Sequence, residues 1–372
     1  MSKKTIGTVT GAALLACTLG LSTLVLGGTA LGDPHSQTIL VRPGESIQAA
    51  IDRARPGDTV EVAAGVYREN LTITTDRITL RGAGASSQGT VLEPPSTAAG
   101  RVCDFEGVNG ICVTGEFTPD SEEIGTPVRD VSVSGFAVRG FPRFGILLNN
   151  AVDVTISGTE TSDSGAYGTV GFFLAGVQLI DNSSHDNGQG GFYIADSPRA
   201  DAIVTGNRSF RNRNVEGFGM YIRDASHGVV RGNRFEDNCV GLLVAATEGP
   251  GSTTSWTVRD NIVRDNTYAC PASEDVPTPL SGLGIAVIGG SHVQVSENTV
   301  HGNRPSGDTP VAGGIAVVSA QAFGGPDPDA NIVRDNRVRD NAPADLLYDG
   351  SGRNNRFADN DCGTSIPDGL CG

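Results

Sequence analysis

The sequence predicts an all-β solenoid, a parallel β-helix with three short strands per coil and roughly ten coils, closed at its front by a short N-terminal capping helix. Three observations predict it. An Asn-x4-Asn pair recurs seven times, at Asn182/Asn187, Asn207/Asn212, Asn233/Asn238, Asn261/Asn266, Asn298/Asn303, Asn336/Asn341 and Asn355/Asn360. The first members stand 25, 26, 28, 37, 38 and 19 residues apart, a period that marks a stacked repeat. The runs between the pairs are short and β-branched, with no helical period. Finally, 38% of the 372 residues are hydrophobic, enough to fill one long core.

The elements follow in chain order. Residues 1–32 carry Lys3 and Lys4, then an uncharged apolar run ending in Ala30-Leu31-Gly32, the plan of a secretory signal peptide. The run also exceeds the length of a membrane anchor, and Leu14-Leu15-Ala16-Cys17 faintly resembles a lipoprotein box, although the apolar stretch continues to Leu26. Residues 33–372 are then one domain: an N-terminal cap over 33–60, coils over 61–360 and a C-terminal tail over 361–372. In the cap, Ile47, Ala50, Ile51 and Ala54 have helical spacing behind Ser46, a capping residue, and Arg55-Pro56-Gly57-Asp58 ends the run. Such a helix plugs the exposed first coil. One coil reads Gly219–Arg223, Gly228–Arg231, Asn233–Glu236. Stacked about 4.8 Å apart, equivalent Asn side chains can form a ladder, and Asn tolerates the left-handed backbone of a corner.

Without Cys17, six cysteines remain: Cys103, Cys112, Cys239, Cys270, Cys362 and Cys371. An even count in an exported chain indicates disulfides, with 15 possible connectivities. Pairing of sequence neighbours is the expectation.

The segment VRPGESIQAAIDRARPGDTVEVAAGVYRENLTI (residues 41–73), followed by Gly-led strands and Asn corners, resembles the pectate-lyase-like superfamily of right-handed parallel β-helix proteins. It looks closest to exported right-handed parallel β-helix repeat proteins. Its front end is similar to nitrous-oxide-reductase accessory proteins and chondroitinase-B-like lyases. The resemblance covers residues 38–360. It implies a right-handed helix with a substrate groove over the first strand of each coil, but no single activity, since the superfamily includes lyases, hydrolases, epimerases and non-catalytic members.

Side chains alternate along a strand. Counting from each leading Gly, the outward row is Leu147/Asn149, Phe173/Ala175, Tyr193/Ala195, Tyr221/Arg223, Leu243/Ala245, Ala286/Ile288, Ala316/Val318 and Leu347/Asp349, with Asp196 and Asp224 at the next corner. Long loops at 247–256, 267–283, 304–313 and 319–330 border this row. Tyr193, Tyr221, Phe173 and Asn149 are the candidate substrate-binding residues, the aromatics by stacking on sugar rings. Arg223, Asp196 and Asp224 are the candidate catalytic residues. Proton abstraction beside a uronate carboxylate needs a base and a cation, and Asp196 and Asp224 could supply the cation by holding calcium. The same three residues are also the content of an ordinary surface salt bridge. By resemblance, calcium-dependent pectate lyases use an Arg base. The Lys base of chondroitinase-B-like lyases has no counterpart, because Lys3 and Lys4 are the only lysines.

The net charge is −15, which repels nucleic acid and anionic membranes. The expected molecule is a secreted monomer with no nucleic-acid partner and no membrane association after signal cleavage. It binds an extracellular polysaccharide, with lyase-type cleavage of a uronate-containing chain as the catalytic form of that reading. The alternative is a non-catalytic surface or scaffold protein whose apolar row is covered by its own loops or by a partner.

Overall fold

The computed structural model describes residues 36–372 apart from 98–99, 101–102, 104–106, 119–122 and 275. The expected signal segment lies outside the described residues. Three long parallel sheets run the length of the molecule, of 12, 12 and 11 strands. Each coil contributes one strand to each sheet. We call sheet I the one built from the longest strands, such as Tyr167–Ala175, Gly190–Ser197, Phe218–Ala225 and Val240–Ala245. Sheet II follows it in each coil (Gly228–Arg231, Trp256–Arg259), and sheet III comes next (Arg234–Glu236, Ile262–Arg264). The strand count slightly exceeds the expected ten coils. Eleven strands at the strand spacing make a rod about 50 Å long.

The core is a column of stacked aliphatics. Ile194, Ile222, Val244, Val287 and Val317 follow one another along sheet I, while Val204, Val230, Val258, Val295 and Val333 do so along sheet II; all are buried. Period-two alternation suffices for this, because every coil points one side-chain set inward.

Most of the repeated Asn residues form two long ladders, one at each end of sheet III. In the first, the Asn182 side chain donates to Asn207 Oδ1, Asn207 to Asn233, Asn233 to Asn261, Asn261 to Asn298 and Asn298 to Asn336. Asn336 then donates to Asn360 rather than Asn355. The seventh sequence pair is therefore out of phase: Asn360, its second member, continues the first ladder, and Asn355 pairs with Asn331 in a shorter one. Spacing could not separate these options, because corner loops of different length carry the same residue. The second ladder runs from Asn187 to Asn341 and ends on Asp345. Asp345 also accepts from the backbone N–H groups of Gly363 and Thr364, so an acceptor-only carboxylate closes a ladder that has no further coil.

At the front, the helix spans Ile47–Ile51 and Ser46 accepts from Ala49 N–H, as a cap should. Glu69 completes the cap, accepting from Ile47 and Gln48 N–H and from the Ser46 hydroxyl. Strands extend into both expected end regions: Thr38–Val41 already belongs to sheet II, and Ser365–Ile366 is the last strand of sheet I. The three disulfides join sequence neighbours, Cys103–Cys112, Cys239–Cys270 and Cys362–Cys371. Among the described residues, no helix is long and apolar enough to cross a membrane.

Candidate functional site

The site is built on the outer face of sheet I. Strand register puts Leu147 and Asn149 beside Val170 and Phe172, those beside Tyr193 and Ala195, and those beside Tyr221 and Arg223. Leu243/Ala245, Ala286/Ile288 and Ala316/Val318 continue the row. One assignment changes. Val170 and Phe172, not Phe173 and Ala175, are the outward members of their coil. That coil has two candidate leading glycines. Counting from Gly171 instead of Gly168 shifts the phase by three residues, an odd number that exchanges the faces. Phe173 takes the corner position instead, left-handed at φ 54°, beside Asn150 (47°), Asp196 (49°) and Asp224 (47°) in neighbouring coils. Asp and Asn accept that conformation readily, whereas Phe does so rarely.

Two cavities open on this face. One, of about 480 Å³, lies over Tyr193, Tyr221 and Leu243 and is walled by residues 276–280 and by Ala322 and Phe323. The other, of about 830 Å³, lies over Asn149, Phe172 and Phe173 and runs to the corner at Asp196 and Asp224 and to the 247–254 loop. Arg223, Phe172 and Phe144 line both, so the cavities form one groove with Arg223 at its waist.

The Arg223 Nη2 donates to both carboxylate oxygens of Asp196, at 3.0 and 2.9 Å. Its Nε lies 3.6 Å from Asp224 Oδ2 but is buried without a hydrogen bond. Burial works to deprotonate the guanidinium, but Tyr193, Asp196 and Tyr221 beside it outweigh this and hold its pKa above the ordinary value. It is a fixed cation. Asp224 is occupied differently: it accepts from the N–H groups of Thr247 and Glu248 at 2.8 and 3.1 Å, from the Ser252 hydroxyl at 2.6 Å, and from the Thr247 hydroxyl. Burial raises its pKa, but the hydrogen bonds from Ser252, Thr247 and Glu248 reverse this and hold the carboxyl below its ordinary value. Asp224 thus folds the 247–254 loop against the groove.

Asp196, Asp224 and Glu248 bring their carboxylates within 4.8 Å of one another, the grouping on which calcium would depend. The three carboxylates could hold a metal ion, but Asp196 and Asp224 already have other partners. Calcium needs six to eight oxygen ligands, while both Asp196 oxygens hold Arg223 and both Asp224 oxygens hold loop donors. The guanidinium lies against two members of this cluster, bonded to Asp196 and 3.6 Å from Asp224 Oδ2.

The tyrosines form a stack: Tyr167 on Tyr193 with ring centres 4.8 Å apart, Tyr193 on Tyr221 at 4.9 Å, and Tyr221 on Phe218 at 4.6 Å. Tyr193 and Tyr221 are only 9% and 8% exposed. Their ring faces, expected to receive sugars, are taken by one another, and what they offer the groove is their edges and hydroxyls. Burial first of all pushes both phenols above their ordinary pKa. Asn149 is buried at the second cavity, 3.4 Å from Thr114 Oγ1.

Sequence reasoning missed Phe172, Phe144, Glu248 and His227 in the groove lining. His227 is a left-handed corner residue (φ 65°); the loop geometry that brings it to the cavity leaves no local signal.

The comparisons with known proteins agree with this geometry at the level of fold. The family model described as "right handed beta helix region" matches residues 144–325. The A-module of the mannuronan C-5 epimerase AlgE4 of Azotobacter vinelandii superposes with a TM-score of 0.58 at 20% identity, covering 85% of this chain and 90% of that one. The corresponding module of AlgE6 from the same organism gives 0.54 at 18% identity, covering 84% and 88%. A family 28 exopolygalacturonase of Yersinia enterocolitica gives 0.50 at 13% identity, covering 87% and 75%. A search of curated proteins finds no significant match.

Proposed function

We propose that this chain, a parallel β-helix whose residues 144–325 match the right-handed β-helix model, binds an extracellular polysaccharide carrying uronate carboxylates in the groove over sheet I. The observation that carries the reading is the waist of the groove. A permanently charged Arg223 stands there with Asp196 at its side and the hydroxyls of Tyr193 and Tyr221 nearby, none of these hydroxyls having a protein hydrogen-bond partner among the described residues. A guanidinium matches a carboxylate in shape and charge, and phenol hydroxyls match sugar hydroxyls. Structural neighbours whose names specify mannuronan and polygalacturonan chemistry support the same substrate class. Three disulfides support a location outside the reducing cytoplasm.

Arg223 supplies the positive charge that calcium was expected to supply, with Asp196 orienting it and Asp224 holding the loop beside it. Asn149, Phe172 and Phe173 continue the groove towards the front of the rod. A second reading, β-elimination at a uronate, draws on His227, which lines the same cavity as Arg223 and Asp196. In that reading His227 takes the proton α to the uronate carboxylate as the β C–O bond to the leaving sugar breaks, with water protonating the departing oxygen, while Arg223 stays charged and the tyrosines stay neutral.

The test incubates the protein with a panel of acidic and neutral polysaccharides and reads retention and products by mass spectrometry. Retention of uronate chains with no unsaturated fragments supports recognition. Unsaturated uronate products that disappear in His227→Ala support elimination. A folded protein that retains no uronate chain overturns both and leaves the scaffold reading.

A further inference from the structure

Glu216 has no role in the groove chemistry described above, yet it lines the first cavity beside Tyr167 and is only 2% exposed. Its Oε2 accepts from the Tyr167 hydroxyl at 2.8 Å, and its Oε1 accepts from the Ser273 hydroxyl at 2.6 Å and from Gln189 Nε2 at 3.2 Å. Every partner is a neutral donor, and no ion pair to Glu216 occurs among the described residues. A buried carboxylate is expensive to desolvate, and an acceptor-only group is required only where several donors converge. Here they converge from different parts of the groove. Tyr167 opens the ring stack that continues through Tyr193 to Tyr221. Ser273 precedes the wall, and its oxygen also accepts from Val276 N–H at 2.9 Å.

The backbone fixes the same junction. Glu216 and Gly217 are both left-handed, at φ 63°, a conformation that a Glu adopts only when its surroundings impose it. A Cβ on Gly217 would stand 2.4 Å from Cys270 Sγ and 2.5 Å from Cys239 Sγ. The disulfide that anchors the base of the wall therefore packs directly on the residue after Glu216.

We propose that Glu216 is a positioning residue for the groove: it ties residues 276–280, the wall facing Tyr193, Tyr221 and Leu243, to the aromatic floor and so sets the width available to a uronate chain. The ligand part of this proposal rests on the polysaccharide reading. Glu216 acts through Ser273 and Tyr167.

The experiment uses the full chain with Ser273→Ala, Ser273→Thr, Glu216→Gln and the Glu216→Gln/Ser273→Ala double variant. Hydrogen–deuterium exchange over 276–280 is measured without ligand, and affinity is measured for defined oligomannuronate and oligogalacturonate probes. Ser273→Ala should speed exchange over 276–280 and weaken oligomer binding by a factor of about three to ten, the worth of one hydrogen bond. Ser273→Thr should restore both. The double variant should be no worse than Glu216→Gln alone, because both changes break one tie.

Unchanged exchange in Ser273→Ala, or additive effects in the double variant, overturns the tie. Faster exchange with unchanged affinity overturns the positioning role. Should Glu216→Gln fail to fold, Ser273→Ala on the half-buried wall still decides both points. If the unaltered protein binds neither oligomer, the uronate reading falls, while the exchange data still decide whether Glu216 holds the wall.

Discussion

Arg223 and Asp224 sit next to each other in the chain and do different work. Arg223 is one-third exposed and pairs with an Asp196 that is one-quarter exposed, so their ion pair contributes at most about 1 kcal/mol to stability. Arg223→Ala should therefore abolish retention of uronate chains while leaving the thermal midpoint nearly unchanged; a large drop would make the pair structural. Asp224→Asn leaves the loop donors of Thr247, Glu248 and Ser252 short of an acceptor and should destabilise by about 1–3 kcal/mol. The folded carboxyl of Asp224 is held below its ordinary pKa, so its contribution is present above the unfolded value of about 3.9 and disappears as pH falls through the lower folded value. Melting Asp224→Asn and the unaltered protein across pH should show a constant gap that closes only in acid. A gap that closes near neutrality would refute this account.

The ladders and the corners are where elements are decided. Asn233 accepts from the Asn207 backbone and side chain, and donates to Asn261 Oδ1 and to the carbonyls of Val204 and Arg231. Asn233→Ala should cost on the order of 1–3 kcal/mol in denaturant unfolding, through the buried groups it leaves unpaired. Asn355→Ala, in the short ladder and only half-buried, should cost less. Equal costs would mean that the ladder interior has no special role. The repeat was legible because each coil reuses the same corner residue. Phase was not: Asn360 and Phe173 were both assigned by counting, and in each case two equivalent residues, Asn355/Asn360 or Gly168/Gly171, offered a starting point. Only pairing with the coils on either side separates them.

At the scale of the molecule, charge makes an unusual forecast. The net charge of −15 repels a polyanion at long range although Arg223 attracts a carboxylate at short range. Association with a uronate chain should quicken from low to physiological ionic strength, because salt screens the distant field more than the buried contact. Stopped-flow rates that fall with salt would show that local arginines dominate instead. Chelators should leave binding unchanged, since Asp196 and Asp224 are engaged by Arg223 and by the 247–254 loop. The amino-acid sequence by itself determined the solenoid, its three strands per coil, the capping helix and the face on which Tyr193, Tyr221 and Arg223 lie, because periodicity and turn chemistry are local properties repeated many times. The tertiary structure alone decided that the tyrosines stack on each other, that Arg223 is held by Asp196 while Asp224 binds the 247–254 loop, and that Glu216 accepts from both Tyr167 and Ser273. Those facts depend on contacts between residues 23 to 57 positions apart, made by loops of irregular length that no period predicts.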